Sequence, residues 1–354
     1  MEQKVREFLR SRINRGIYSG AAVIFGNPSG KFFSVYEGNL KDNSDISVGE
    51  STVFDLQSIT KALSTSVLSL VVSKNGLINL DEVIDDYIPA GAPRFLAGKG
   101  ITFKHLLTHS SGLSDSSLEG SFKTAFDIWK HMFSAPLNFK PGSSIEYSDL
   151  GYRILGKLIE SCTKESLESL FGRLVVQNAR VFDISYIPNN PFNVAGTPDA
   201  HGIIDDEQVH ALGGILGCDG LFGSANSIFL LITELLKAEN KIVPNFTDLL
   251  SANTVFNSSG VNSFYESLAC GSKTFGWEIN SASTSYAGKF HKSSCFEKAG
   301  GAGTFIWFDS QTKQVFVYLT NHGKPKPFNE QSWIGLIDEV APHKLSDLIY
   351  ELLE

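Results

Sequence analysis

The hydrophobic period of this chain changes twice, and that change limits the folds open to it more than any single motif. Gly20 to Phe25 and Lys31 to Tyr36 read as apolar strands joined by the turn residues Asn27-Pro28-Ser29-Gly30. Gly303 to Phe308 and Gln314 to Asn321 form a second such pair around Asp309-Ser310-Gln311-Thr312. Between them apolar residues recur at helical spacing. Ile101 to His109, Ala125 to Met132, Leu150 to Cys162, Leu167 to Gln177 and Leu221 to Leu236 are the clearest helical pieces. Amphipathic helices at Glu2 to Arg15 and from Gln331 flank the strands. Strand pairs at both ends with helices between them predict an α/β fold with one antiparallel sheet drawn from both termini, flanked by helices. The middle is then an inserted all-helical domain. The expected units are a discontinuous α/β domain over 1–76 and 218–354 and a mainly helical domain over 77–217, with chemistry in the cleft between them.

Composition removes several function classes. The net charge is −8 over 354 residues, so the surface repels phosphate backbones and nucleic acid is not an expected partner. No run approaches the roughly 18 apolar residues of a membrane span. Met1-Glu-Gln-Lys-Val-Arg-Glu-Phe-Leu-Arg10 is charged throughout and lacks the apolar centre of a secretory signal. A cytoplasmic location is expected, or a periplasmic or secreted one where a signal has been removed. Cys162, Cys218, Cys270 and Cys295 lie far apart with no zinc-like spacing, which reads as free thiols. His105 and His109 are four apart but lack an HExxH glutamate and a third ligand, so capping or packing is expected of them. No metal or organic cofactor is called for. The sequence offers no reading of the oligomeric state.

Ser58-Ile59-Thr60-Lys61 carries the nucleophile reading. Residues three apart share a helix face, so Lys61 can reach the Ser58 hydroxyl, which needs a partner to handle its proton. A helix N-terminus also favours developing negative charge there. Spacing alone proves little, because Ser-x-x-Lys recurs at Ser161 to Lys164 and at Ser310 to Lys313. Only Ser58 opens an amphipathic helix, with Leu63, Val67, Leu70 and Val71 as its buried stripe and Asn75-Gly76 as its stop. No Gly-x-Ser-x-Gly elbow exists, which argues against an α/β-hydrolase.

Five blocks in order give the residues a family context. Thr52 to Lys61 resembles the nucleophile block of the class C β-lactamase-like serine hydrolases. Ile101 to Leu113, Pro141-Gly142 with Tyr147 to Tyr152, Ala211 to Ala225, and Lys298 to Gly303 resemble its later segments. That superfamily includes β-lactamases, penicillin-binding proteins, D-amino-acid peptidases and esterases. The resemblance, strongest to the esterase-like branch, implies the β-lactamase/transpeptidase-like fold. It implies that Ser58 forms an acyl-enzyme, with Tyr147 and Lys61 moving its proton. Nearby lysines are expected to lower the Tyr147 phenol pKa. Lys298-Ala299-Gly300 occupies the Lys-Thr-Gly position, and the Ser58 and Gly301 N–H groups would form an oxyanion hole.

Three departures sharpen the expectation. Asp149 stands where the best-known members have Asn; an ionised Asp only accepts hydrogen bonds and holds Lys61 charged. Ala299 lacks the threonine hydroxyl that helps bind the carboxylate of β-lactams and D-Ala-D-Ala peptides. Cys218-Asp219 replaces a common His-Ala pair. The expected function is therefore a carboxylesterase or amidase acting on a small ester or amide. A D-amino-acid peptidase or β-lactamase is the alternative within that mechanism, and an inactive ligand-binding relative is the alternative outside it.

Overall fold

The computed structural model describes residues 1–114, 125–196, 204, 213–257, 264–325 and 329–354. Its centre is a seven-stranded sheet in which every neighbouring pair is antiparallel. The strands are β1 (Gly20–Asn27), β2 (Gly30–Gly38), β7 (Ser272–Lys273), β8 (Glu278–Ile279), β9 (Cys295–Gly300), β10 (Thr304–Asp309) and β11 (Val315–Thr320), in the order β2-β1-β11-β10-β9-β8-β7. The two ends of the chain meet where β1 pairs with β11, Ala21 opposite Thr320 and Gly26 opposite Val315.

Its central strands are continuous apolar runs because both faces of the sheet are covered. Ala21, Val23 and Phe25 join Trp307, Phe316 and Tyr318 on one face. Helices Glu2–Asn14, Glu330–Val340 and Pro342–Leu353 close that core with Val5, Leu9, Trp333, Leu336, Leu345 and Ile349. Ala22 and Ile24 turn the other way and meet Ile306, Phe308, Val317 and the helix that carries Leu63, Val67 and Leu68.

Among the described residues, the longest elements of the stretch 77–217 are helices, and it also lends two short strands to a second sheet. β4 (Ile184–Ser185) and β5 (Val194–Ala195) join β3 (Val53–Asp55) and β6 (Phe222–Ser224) in the order β4-β6-β3-β5. Pairs this short carry no readable period. The expected helix from Leu221 starts later, at Ala225. Phe222 and Gly223 pair with β3, and the Ser224 hydroxyl caps the helix by accepting the Ser227 N–H at 3.1 Å. The piece expected over Leu167 to Gln177 likewise changes pitch, with a π-turn at Gly172–Val176. Among the described residues no helix is long and apolar enough to cross a membrane. In the glycine-rich block, Ala211 and Leu212 lie outside the described residues.

Candidate active site

β3 delivers the chain to Ser58 through a strained turn. Gln57 is buried with φ of 41°, a conformation costly for a residue with a Cβ. Its N–H donates to Asp55 Oδ1 at 3.0 Å, which fixes the turn. The helix that follows opens with a π segment, Lys61–Thr65, before regular α-helix from Ser66 to Lys74. π-bulges of this kind are frequent at functional sites.

Lys61 has no solvent exposure, and its three ammonium protons are all used. It donates to Ser58 Oγ at 2.9 Å and to the Cys218 carbonyl at 3.0 Å, and pairs with Asp149 Oδ1 at 2.6 Å. Burial alone would pull its pKa down. Asp149, with support from Tyr147, Asp219 and Cys218, outweighs burial and holds the ammonium well above its usual value. Burial likewise disfavours the Asp149 carboxylate, but Lys61, Arg153 and Lys324 reverse the direction and keep its pKa below the usual range.

Tyr147 is pinned from both sides of its peptide. Its N–H donates to the Ala269 carbonyl at 2.8 Å, and the next N–H, of Ser148, donates to His109 Nδ1 at 3.0 Å. The Ser148 hydroxyl then caps helix Asp149–Thr163. The His109 ring stacks on the phenol at 4.5 Å between centroids. Burial and the surrounding lysines keep that imidazole neutral, its pKa well below the usual value. Lys61, Lys298 and Lys273 place Nζ 5.1, 4.8 and 6.0 Å from the Tyr147 ring centre. The expected lowering of the phenol pKa does not result. Burial pushes it well above its usual value, and the pull of Lys61 only partly opposes that, with Asp149 adding to the rise.

Lys298 projects from β9 and has no solvent exposure. Its Nζ pairs with Glu278 Oε1 at 2.7 Å, so it does not reach out to a ligand. Gly300 does not line the cleft either. A Cβ there would overlap the Thr304 hydroxyl and the Leu56 carbonyl, so glycine is what lets β9 lie against the turn that presents Ser58. Gly301 does face the cleft, together with Ser58, Tyr147, Asp149 and Ala299, around about 400 Å³ of open space. The structure therefore brings Ser58, Tyr147, Asp149 and Gly301 to one cleft, with Lys61 buried against Ser58 and Asp149, and Lys298 buried against Tyr147.

The other two Ser-x-x-Lys copies lie elsewhere. Ser161 is near the end of helix Asp149–Thr163 and Ser310 is in the turn after β10; Lys164 and Lys313 both adopt φ of 59°, off any helix face. His105 caps its own helix, accepting the Thr102 N–H at 3.2 Å. All four cysteines are free. Asp149, Cys218 and Asp219 bring possible ligand atoms within 4.8 Å of one another, but Lys61 already engages Asp149 and Arg153 Nε donates to the Cys218 sulfur at 3.4 Å.

Several site residues escaped the sequence reading. Lys324, Tyr265 and Trp333 also line the cleft, as does Asp219 of the Cys218-Asp219 departure. Glu278 and Lys273 lie buried behind Tyr147. One signal for that pair was present: Lys273 and Glu278 bracket Thr-Phe-Gly-Trp, an opposite-charge pair across a hairpin.

The chain and its fold are similar to those of known proteins. The chain is 33% identical to Esterase EstB of Burkholderia gladioli over 161 residues, 40% of each protein. It is 24% identical to Protein flp of Staphylococcus aureus (strain COL) over 171 residues, 47% of this chain and 34% of that protein. The matched part thus spans two-fifths or less of the length of these relatives. Its fold is similar over nearly the whole chain to "EstCE1, a hydrolase with promiscuous acyltransferase activity" (TM-score 0.73, 19% identity, 96% and 97% of the two chains). It is also similar to a Beta-lactamase/D-alanine Carboxypeptidase from Yersinia pestis (TM-score 0.71, 15% identity, 96% and 98%). The family model described as Beta-lactamase matches residues 2–339, and the chain belongs to that family.

Proposed function

We propose that this protein is a serine hydrolase that cleaves a small ester or amide through an acyl-enzyme on Ser58. The observation that carries the reading is the contact of Ser58 Oγ with the Lys61 ammonium at 2.9 Å, beside the half-buried Tyr147 in an open cleft. Because Asp149 keeps Lys61 protonated, Lys61 is a donor and not the base. The base is then the phenolate form of Tyr147, a minority species that the lysines around the ring support. Ser58 Oγ bonds to the substrate carbonyl carbon while its proton passes to Tyr147. The Ser58 and Gly301 N–H groups hold the oxyanion. Tyr147 returns the proton to the leaving alcohol or amine as the carbon–heteroatom bond breaks. Water then attacks the acyl group by the reverse route, releasing the acid and restoring Ser58.

Esters and small amides are favoured over β-lactams and D-Ala-D-Ala peptides on two counts. Ala299 offers no hydroxyl to a substrate carboxylate, and Lys298 is sealed against Glu278. The similarity to proteins named as an esterase and a hydrolase points the same way. Intact-mass measurement after exposure to a fluorophosphonate, a p-nitrophenyl ester and a penicillin tests the proposal. A fluorophosphonate adduct and ester turnover, both lost in Ser58→Ala, are expected. No adduct with any reagent supports an inactive ligand-binding relative, and a long-lived penicillin adduct supports the penicillin-binding alternative.

A further inference from the structure

A buried lysine that the mechanism above does not use lies on the edge strand of the main sheet. Lys273 in β7 sits directly opposite Glu278 in β8. Its Nζ is 3.5 Å from Glu278 Oε1, the same oxygen that Lys298 holds at 2.7 Å, and it donates to the Ser267 carbonyl at 2.7 Å. All three side chains are at most 1% exposed. Two ammonium groups thus share one carboxylate out of reach of solvent.

That ratio is expensive for stability. Each buried charge costs several kcal/mol unless it is paired, and Lys298 alone already neutralises Glu278. Lys273 adds a charge that its own surroundings do not cancel. The other charges around Tyr147 come in both signs: Lys61 pairs with Asp149, the Arg153 guanidinium lies beside Asp149 and Asp219, and Lys324 and Glu146 stand at the more open side of the cleft. His109 stacks on the ring as a neutral imidazole, and the Tyr286 phenol nearby is held protonated by burial. Glu278 faces both lysines. On the buried side of the ring two ammonium groups thus face one carboxylate, and Lys273, 6.0 Å from the ring centre, is the second of them.

We propose that Lys273 is a positioning residue that acts through Tyr147, supplying the uncompensated positive charge that makes the phenolate accessible as the base for Ser58. The inference rests on the proposed role of Tyr147. It explains why Lys273 is kept in a place where burial drags its own pKa down to about 8, with Glu278 only partly opposing. Such a group gives up its charge readily, so the field on Tyr147 weakens above that pH.

The size follows from the distance. Lys273 Nζ is 6.0 Å from the ring centre, and a unit charge at about that range with an effective dielectric near 20 to 40 shifts a pKa by at most roughly one to two units. At fixed neutral pH that predicts roughly a 10- to 100-fold slower acylation in Lys273→Met. Lys273→Met leaves no orphan charge, because Glu278 keeps Lys298. The readout is the fluorophosphonate acylation rate against pH for wild type, Lys273→Met, Lys273→Arg and the double variant Lys273→Met/Glu278→Gln. The expected pattern is a slow Lys273→Met with its profile displaced to higher pH. Lys273→Arg should recover at least half of the loss on a logarithmic scale. The double variant, which removes one charge of each sign, should recover as much. A purely structural role predicts no such recovery, since a second buried substitution only adds damage. An unshifted profile in Lys273→Met, or a double variant slower than the single one, overturns the inference. Failure of the wild type to form any Ser58 adduct would instead refute the proposed function itself.

Discussion

Replacing Asp149 by asparagine tests the charge logic of the cleft most directly. The Asp149 carboxylate stands 2.6 Å from Lys61 Nζ, with the lysine wholly buried and the aspartate side chain 23% exposed. At an effective dielectric of about 20 their attraction is roughly 6 kcal/mol. Part of it is offset, because the amide introduced by Asp149→Asn bears none of the desolvation of a carboxylate. Breaking a buried pair by removing one partner typically costs about 3–5 kcal/mol, and the partial exposure of Asp149 places this case near about 3 kcal/mol. The same loss removes the main influence that outweighs burial, so the Lys61 pKa falls and its neutral amine becomes more accessible as a competing base. The sign with pH is fixed by the two shifts. Asp149, with its folded pKa depressed, stabilises above the unfolded carboxylate pKa and ceases to as pH falls through the folded value. Lys61, with its folded pKa raised, stabilises below the unfolded lysine pKa and ceases to as pH rises through the folded value. Urea unfolding of wild type and Asp149→Asn from about pH 1.5 to 10 should therefore show a stability gap that is full at neutral pH, narrows below the ordinary carboxylate pKa and closes as pH falls through about 2. The pH–rate profile for ester hydrolysis should move with it. Equal stability at neutral pH, or higher activity on amides with an unmoved pH optimum, would show that Asp149 does not set the charge of Lys61.

Other substitutions probe separate parts of the site. Ser58→Ala should abolish ester turnover while changing stability by less than about 1 kcal/mol, since Lys61 keeps Asp149 and the Cys218 carbonyl; thermal unfolding checks this. Gly300→Ala forces a methyl into the Leu56 carbonyl and should cost about 1–3 kcal/mol and most activity together, measured by urea midpoint and turnover. Glu297→Ala should cost about 3 kcal/mol or more without touching the cleft. Its buried carboxylate accepts from Ser285 Oγ and the Tyr286 N–H at 2.6 Å each, and the loss would orphan both donors.

Much of the architecture was legible because strands and helices differ in period, and because Ser58 and Tyr147 each stand just before a helix and Lys298 just before a glycine run, with recognisable neighbours. The convergence of Ser58, Lys61, Tyr147 and Asp149 followed from ordered blocks, and the spacing within any one block could not have supplied it. What stayed hidden was set by tertiary contact. β4 and β5 are two residues each, too short to carry a period, and owe their place to pairing with β6 and β3. The positive φ of Gln57 goes with a hydrogen bond from its N–H to Asp55 Oδ1 and with no glycine in the turn to announce it. Glu278 and Lys273 look like ordinary surface charges until the fold closes over them. The direction of the Tyr147 pKa depends on burial, and the count of nearby lysines that the sequence offered pointed the wrong way.

The pairing of β1 with β11 also has a consequence for how the molecule is made. β1 meets β2 across a short turn, but its other neighbour arrives about 300 residues later. Long-range pairing of this kind slows folding, because loop closure precedes any reward in contacts. At about 5–20 residues per second, a ribosome leaves roughly 15–60 s between synthesis of β1 and of β11. Throughout that interval the apolar edge of β1 has no partner, which is the condition under which strands pair with the wrong chain. The active cleft, whose floor needs β9 against Leu56, cannot exist until the same interval is nearly over.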